Sequence, residues 1–349
     1  MSSATVALVR CDDYEPARVA GAVQRQFELL GGLGAFIRRG DTVLLKPNLI
    51  APRSHHRSAA QTHPVVILEM AKLLKDFGAK PFVADSPAWA NVTICARALE
   101  LTEPLRRLGV PIRELNAPRK CRLGSGGPSV GISSAALDAD VIINLPKFKT
   151  HQQLVATFAV KNMFGCVSGK QKALWHFRKG NTAGEFSELL VGVYQYLKPA
   201  LTIIDGIVAM HGQGPIRGKS KPLGWLIGGA DPIACELVCC GLVGVEPERL
   251  PILQTARRIG FGCSEPDRGE IVGDDPPAAP CAGFELAEAT PVKFTLGRVC
   301  RSIVRQIALL VRGATGEPAQ SKQCCQAIHP TGTGPGPAVP PHRARESRW

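Results

Sequence analysis

The 349-residue sequence has no C-x-x-C pair, although it carries 12 cysteines. Local zinc and iron–sulfur sites are built from closely spaced thiols, so no self-contained site of either kind is expected. Cys239-Cys240 and Cys324-Cys325 are adjacent, and neighbours on a helix point in different directions. The other cysteines stand singly in apolar contexts, as small buried hydrophobes do. No apolar run reaches the ~18–20 residues of a membrane span. The opening "MSSATVALVRCDD" lacks a charged segment followed by an apolar one, so no signal peptide is expected and a cytoplasmic location is. Aromatic residues make up only 5% and are not interleaved with basic ones, which argues against a nucleic-acid partner. The Walker pattern G-x-x-x-x-G-K-[ST] is absent; "FGCVSGKQK" (164–172) has Gly-Lys without the rest, and "GSGGP" (124–128) follows no strand and is no dinucleotide fingerprint.

What the chain does have is cationic charge, +13 in all. Residues 293–349 hold nine Lys or Arg against Glu317 and Glu346, a net of +7, which leaves +6 for the longer body. A basic tail of that kind reads first as a solubilising or surface-binding arm. Its residues 292–312, "VKFTLGRVCRSIVRQIALLVR", have an apolar stripe of Leu296, Val299, Ile303, Ile307 and Leu310 opposite Arg298, Arg301, Arg305 and Arg312. This predicts a basic amphipathic helix over 292–313, docked on the body or lying on an anionic membrane surface. "PPAAPCAG" within 276–291 predicts a Pro-rich linker, and the Pro, Gly and polar residues of 314–349 predict a disordered tail.

In the body, residues 1–275, short β-branched runs alternate with helical patterns. That alternation predicts an α/β fold with a mainly parallel, doubly wound-like sheet and helices on both faces. Strands are expected at 5–11, 42–48, 81–86, 140–146, 201–207 and 223–231, several of them continuous apolar runs. "THPVVILEMAKLLKDFGA" is the best-marked helix: Thr62 can cap it, Pro64 suits its first turn and Gly78 ends it.

Ligands of such sheets bind beyond the carboxyl ends of the strands. Polar residues recur at those positions: Lys46 and Asn48, Asp85, Asn144 followed by Lys147, Lys149 and His151, Asp205, and Asp231. Singly, each Asp reads as a turn former or helix cap. Together with Lys161, Asn162, Lys170 and Lys172 from the following glycine-containing segment, they describe a cleft for a small anionic substrate, carboxylate or phosphate. The expected catalytic set is His151, Lys149, Asp205 and Asp85. His151 lies on a basic loop and transfers protons, a lysine crowded by cations acts as base or nucleophile, and the aspartates orient them. The expected substrate-binding set is Lys46, Asn48, Asn144, Lys147, Lys161, Asn162, Lys170, Lys172 and Asp231. No metal ligands are expected; His55, His56 and His63 read as part of a mobile loop.

The segments "LLKPNL" (44–49), "THP" (62–64), "FVADSP" (82–87), "DVIINLPKFKTH" (140–151), "AVKNMFGCVSGKQK" (159–172), "LTIIDGIVAMHGQGP" (201–215) and "GGADPIACE" (228–236) resemble a widespread prokaryotic family, domain of unknown function 362. The resemblance spans about residues 4–275. Many members are similar in carrying a ferredoxin-like domain with paired four-iron clusters after the body, which implies redox chemistry on a substrate in the cleft. Here only "SKQCCQAIHP" and a Pro/Gly-rich end stand in that place, so the cofactor is left unassigned and electrons are expected from an external ferredoxin-like iron–sulfur partner. The resemblance thus implies a redox-associated enzyme. The alternatives are a non-redox racemase- or transferase-like enzyme, and a non-enzymatic protein peripheral to an anionic membrane through 292–312. The order of strand, basic segment, His and Gly-x-Lys is also distantly similar to the nickel-pincer lactate racemases.

Overall fold

Two-residue alternation along the central strands decides which helices cover which face of the sheet. In the computed structural model, which describes residues 4–55, 59–87, 90–168, 172, 174–175, 178–179, 182–263 and 269–288, Val43, Leu45, Val83, Ile143 and Ile203 point to one side. Leu44, Phe82, Ala84, Ile142 and Ile204 point to the other. The strands are β1 (Ala4–Arg10), β2 (Thr42–Pro47), β3 (Lys80–Asp85), β4 (Ile112–Glu114), β7 (Val141–Leu145), β8 (Lys147–His151), β9 (Val155–Thr157), β10 (Leu201–His211), β11 (Lys219–Gly229) and β12 (Gly269–Gly273). A separate hairpin pairs β5 (Pro118–Arg122) with β6 (Ser129–Ser133). The main order is β12-β1-β11-β10-β7-β2-β3-β4, parallel throughout except that β11 runs antiparallel to both neighbours.

Helices α1 (Pro16–Leu29) and α2 (Pro64–Phe77) cover the first face with Val19, Phe27, Val66, Ile67 and Met70. Short helices α3 (Val92–Ala98), α4 (Thr102–Arg107) and α5 (Ser134–Leu137) follow in the chain. Helices α6 (Ala183–Leu197), α7 (Pro232–Val243) and α8 (Pro251–Ile259) cover the second face with Phe186, Leu190, Ile233 and Leu253. Each large apolar side chain so buried contributes about 1.5–3 kcal/mol. The expected α/β architecture, mainly parallel sheet and two helical layers are all present.

Three details differ from expectation. First, residues 147–151 are a strand and not a loop: β8 lies parallel to β10 (Asp205↔Lys147, Met210↔Lys149) and antiparallel to β9. Pro146 ends pairing to β7, and the chain resumes the sheet one residue later with Phe148 in the core against Phe158. Second, the cap of α2 is His63, whose Nδ1 accepts from the Val65 N–H, while the Thr62 hydroxyl donates to the Leu145 carbonyl and accepts from the Asn48 N–H. Gly78 closes that helix at φ 95° as expected. Third, part of the segment expected as a linker lies against the body, with the Cys281 N–H donating to the Leu242 carbonyl and Phe284 edge-on to Phe148. The amphipathic stretch 292–312 and the tail from 314 lie outside the described residues. Among the described residues no helix is long and apolar enough to cross a membrane.

Candidate functional site

Parallel packing brings the ends of β2, β3, β7 and β8 together, and the polar residues there form one connected cluster. Lys46 sits at the end of β2, fully buried, with its Nζ 2.8 Å from Asp85 Oδ1 at the end of β3. The same ammonium donates to the Pro47 carbonyl at 2.8 Å and to Asn162 Oδ1 at 3.4 Å. Asp85 is tied further by the N–H groups of Leu49 and Ser86. Asn162 comes from a 3-10 helix (Val160–Cys166) and donates to the Lys46 carbonyl and to Asn144 Oδ1. Asn144 in turn donates to the Ala159 carbonyl and Thr202 Oγ1. These bonds satisfy groups that would otherwise cost several kcal/mol each to bury. A Cβ on Gly165 would lie 2.5 Å from Asp85 Oδ1 and from Lys46 Cε and Nζ, so glycine is what lets the 3-10 helix lie over the ion pair.

Strand alternation in β8 sets Lys147, Lys149 and His151 on one face, with Phe148 and Thr150 on the other. Lys147 Nζ is 2.8 Å from Asp205 Oδ2 and 2.7 Å from the Tyr14 hydroxyl. That hydroxyl donates to Asp205 Oδ1 and accepts from the Val208 N–H, and the Tyr14 ring stacks on His63 with centroids 3.5 Å apart. The His63 N–H donates to Asp205 Oδ2. Burial and the facing Asp205 carboxylate push the Tyr14 phenol well above its ordinary value, which keeps it a donor. Tyr14 carries no sequence signal, standing before α1 in "DDYEP". His63 has one only in retrospect, as the residue between a bridging Thr62 and the first-turn Pro64.

Lys149 is different. Its side chain is buried, yet among the described residues its Nζ donates only to Asn48 Oδ1 at 2.5 Å and the Ala60 carbonyl at 2.8 Å, both neutral. Burial, then the neighbouring Lys161, Lys147 and Lys46, hold its pKa well below the lysine range; Asp85 opposes this. Lys161 is half-buried and has no bonded partner among the described residues; burial and Lys46 lower it to about 8. Lys172 donates to the Ser86 carbonyl and is lowered by burial to about 8 as well. Among the described residues, the carboxylates bonded to these five lysines are Asp85 and Asp205 alone. Asn48, Lys161, Gly165 and Lys172 are half-buried, so the cluster reaches solvent on the side where its positive charge is least compensated.

Of the remaining expected site residues, Asp231 lies elsewhere. Asp231 follows β11, whose antiparallel course carries it to the opposite edge of the sheet, beside Thr202 at the start of β10. There it caps α7, accepting from the Ile233 and Ala234 N–H groups and, through its other oxygen, from Cys263. His151 ends β8, with its Nδ1 accepting from the Gln153 N–H. Lys170 lies outside the described residues. Glu236, not anticipated, is fully buried in α7; its Oε1 accepts from the Ala159 and Val160 N–H groups at the start of the 3-10 helix. Its Oε2 has no partner among the described residues, and burial raises its pKa to about 7.

The iron–sulfur clusters that the family resemblance implies for many members need several thiolates around one point. Among the described residues no group of three or more His, Cys, Asp or Glu side chains is placed to hold a metal. The described cysteines do not fit such a group.

The family described as Domain of unknown function (DUF362) matches residues 43–241, a span that contains every bonded partner of Lys46, Lys149 and Asn162 described above. The chain belongs to the DUF362 family. This DUF362 protein is 36% identical over 301 residues to a thylakoid-associated protein of Synechocystis sp., covering 85% of the present chain and 92% of that one. It also superposes on the lactate racemase apoprotein from Thermoanaerobacterium thermosaccharolyticum with a TM-score of 0.41 and 12% identity, over 68% of this chain and 57% of that one, too loose a likeness to carry an argument.

Proposed function

We propose that this DUF362 protein is an enzyme that binds a small anionic metabolite, carboxylate or phosphate, between Lys149, Lys161 and Lys172. The observation that carries the reading is Lys149: a buried lysine with two neutral acceptors, other lysines around it and no carboxylate bonded to it. An anion beside it supplies countercharge to a cluster of five lysines in which two carboxylates are bonded among the described residues. Lys46–Asp85 and Lys147–Asp205, both internally neutralised, form the rigid walls. His151, on the same face of β8 as the lysines, serves as the proton-transfer residue. In its redox form the reaction draws electrons from an external iron–sulfur carrier, a point supported by the family resemblance in sequence. Turnover that needs a reduced ferredoxin would favour that form, and turnover without a donor the racemase- or transferase-like one.

The binding claim is tested by thermal unfolding at low ionic strength with phosphate, sulfate or pyruvate added. A ligand bound to the native state raises the midpoint by mass action. The rise is expected in the wild type and lost in the Lys161→Met, Lys172→Met double variant. An undiminished rise in the double variant would remove these lysines from the site.

A second reading is supported by the thylakoid association of the Synechocystis relative and by the Arg-edged apolar stripe at 292–312. Here the chain is also peripheral to an anionic membrane. Flotation with anionic liposomes at low salt is expected to carry the full chain; failure to float there, where attraction is strongest, would reject it.

A further inference from the structure

We infer that Lys149 is an imine-forming residue, and that the metabolite is an oxocarboxylate whose carbonyl carbon meets Lys149 Nζ while its carboxylate rests on Lys161 and Lys172. The inference rests on the anion-binding reading above and adds the bond that is made.

The number and charge of the acceptors together separate Lys149 from its neighbours. An ammonium has three donors, a neutral amine two and a lone pair. Lys46 is offered three acceptors, Asp85 Oδ1, the Pro47 carbonyl and Asn162 Oδ1, and one of them is charged. Lys147 faces the Asp205 carboxylate. Both environments are built for an ammonium. Lys149 is offered two neutral acceptors, Asn48 Oδ1 and the Ala60 carbonyl, and no carboxylate. Two acceptors match the two N–H groups of a neutral amine and leave its lone pair unengaged. Neighbouring cations favour the same state, since a lysine beside other positive charge is held neutral and nucleophilic. The side chain rises from a paired strand, with Phe148 packed on the other side, so its Nζ is held in place.

The step balances without any further reagent. The amine nitrogen attacks the carbonyl carbon and passes one of its protons to the carbonyl oxygen, giving a neutral carbinolamine. Loss of that hydroxyl as water, with a proton from a neighbouring ammonium, leaves a protonated imine. One C=N bond forms, one C=O bond is broken, one water leaves, and nothing is oxidised. The cation then draws electrons from the adjacent carbon, whose C–H or C–C bond is weakened.

The full-length protein is incubated separately with pyruvate, 2-oxoglutarate and acetoacetate at neutral pH in the presence of cyanoborohydride, then weighed intact and peptide-mapped. The expected result is one reduced adduct on Lys149 with at least one probe, absent from Lys149→Arg. Lys161→Met, altering a half-buried residue, removes a cation that favours the neutral amine of Lys149 and a contact to the carboxylate, and is expected to slow trapping. Adducts confined to other lysines, or none, would overturn the imine. Labelling of Lys149 by trinitrobenzenesulfonate, with and without phosphate, keeps the two claims apart. Phosphate protection without trapping overturns the imine and leaves the anion site standing; neither protection nor trapping overturns both.

Discussion

At the scale of single residues, the site sorts its lysines by the partners it offers them. Lys46 and Asp85 are both buried, so removing one charge strands the other. Asp85→Asn is therefore expected to cost about 3–5 kcal/mol, read as a lower urea midpoint. Tyr14→Phe leaves the Val208 N–H without its acceptor and Asp205 Oδ1 without the phenol's donor, an expected loss of about 1–3 kcal/mol in the same measurement. Gly165→Ala places a methyl group on the Lys46–Asp85 pair and is expected to destabilise by about 1–3 kcal/mol, as overpacking does. A neutral result for Gly165→Ala would mean that the 3-10 helix can move off the pair. Lys46, Asp85, Lys147 and Asp205 were legible in the sequence because they follow apolar strand runs. Tyr14 was not, because its partners lie 133 and 191 residues away and no local pattern encodes them.

Among the elements, β8 shows where sequence patterning loses its hold. Strands β2, β7 and β10 declare themselves by runs of Val, Ile and Leu. Three of the five residues in "KFKTH" are ionisable, and local composition favours a loop. The spacing Lys147, Lys149, His151 was nonetheless a period-two pattern with the core residue Phe148 between its cations. Both sides of the strand are buried, one against core and one against the polar cluster, so alternation of apolar and polar residues did not mean core and solvent. β11 shows the converse: the strand was plain in sequence, its antiparallel direction was not, and with the direction went the expected place of Asp231. The 3-10 helix that carries Lys161 and Asn162 is fastened by Glu236. Its carboxyl is raised from 4.5 to about 7, so the folded state binds more protons than the unfolded one between those values. That contribution to stability is full below pH 4.5 and is lost as pH rises through 7. Wild type is expected to lose about 3 kcal/mol relative to Glu236→Gln between pH 5 and pH 8. Parallel pH profiles of the two proteins in urea unfolding would contradict it.

For the whole molecule, the sheet separates stability from chemistry. Its two apolar faces carry the fold, and the edge where β2, β3, β7 and β8 end carries the charge. Lys161 and Lys172, both lowered to about 8, act on stability with the opposite sign to Glu236: the folded state binds fewer protons than the unfolded between 8 and 10.5. Their strain is present below pH 8 and is relieved as pH rises past it. A bound anion reverses this, because it favours the protonated lysines. Binding at pH 8 is then coupled to proton uptake, about half a proton from each of two groups titrating there. Calorimetric titration of the full chain with phosphate or sulfate, neither of which has a carbonyl to react, at pH 8 in two buffers of different ionisation enthalpy measures that coupling directly. The account predicts heats that differ between the buffers by the uptake of about one proton per anion bound. Equal heats in both buffers, or no binding of either anion, would contradict it.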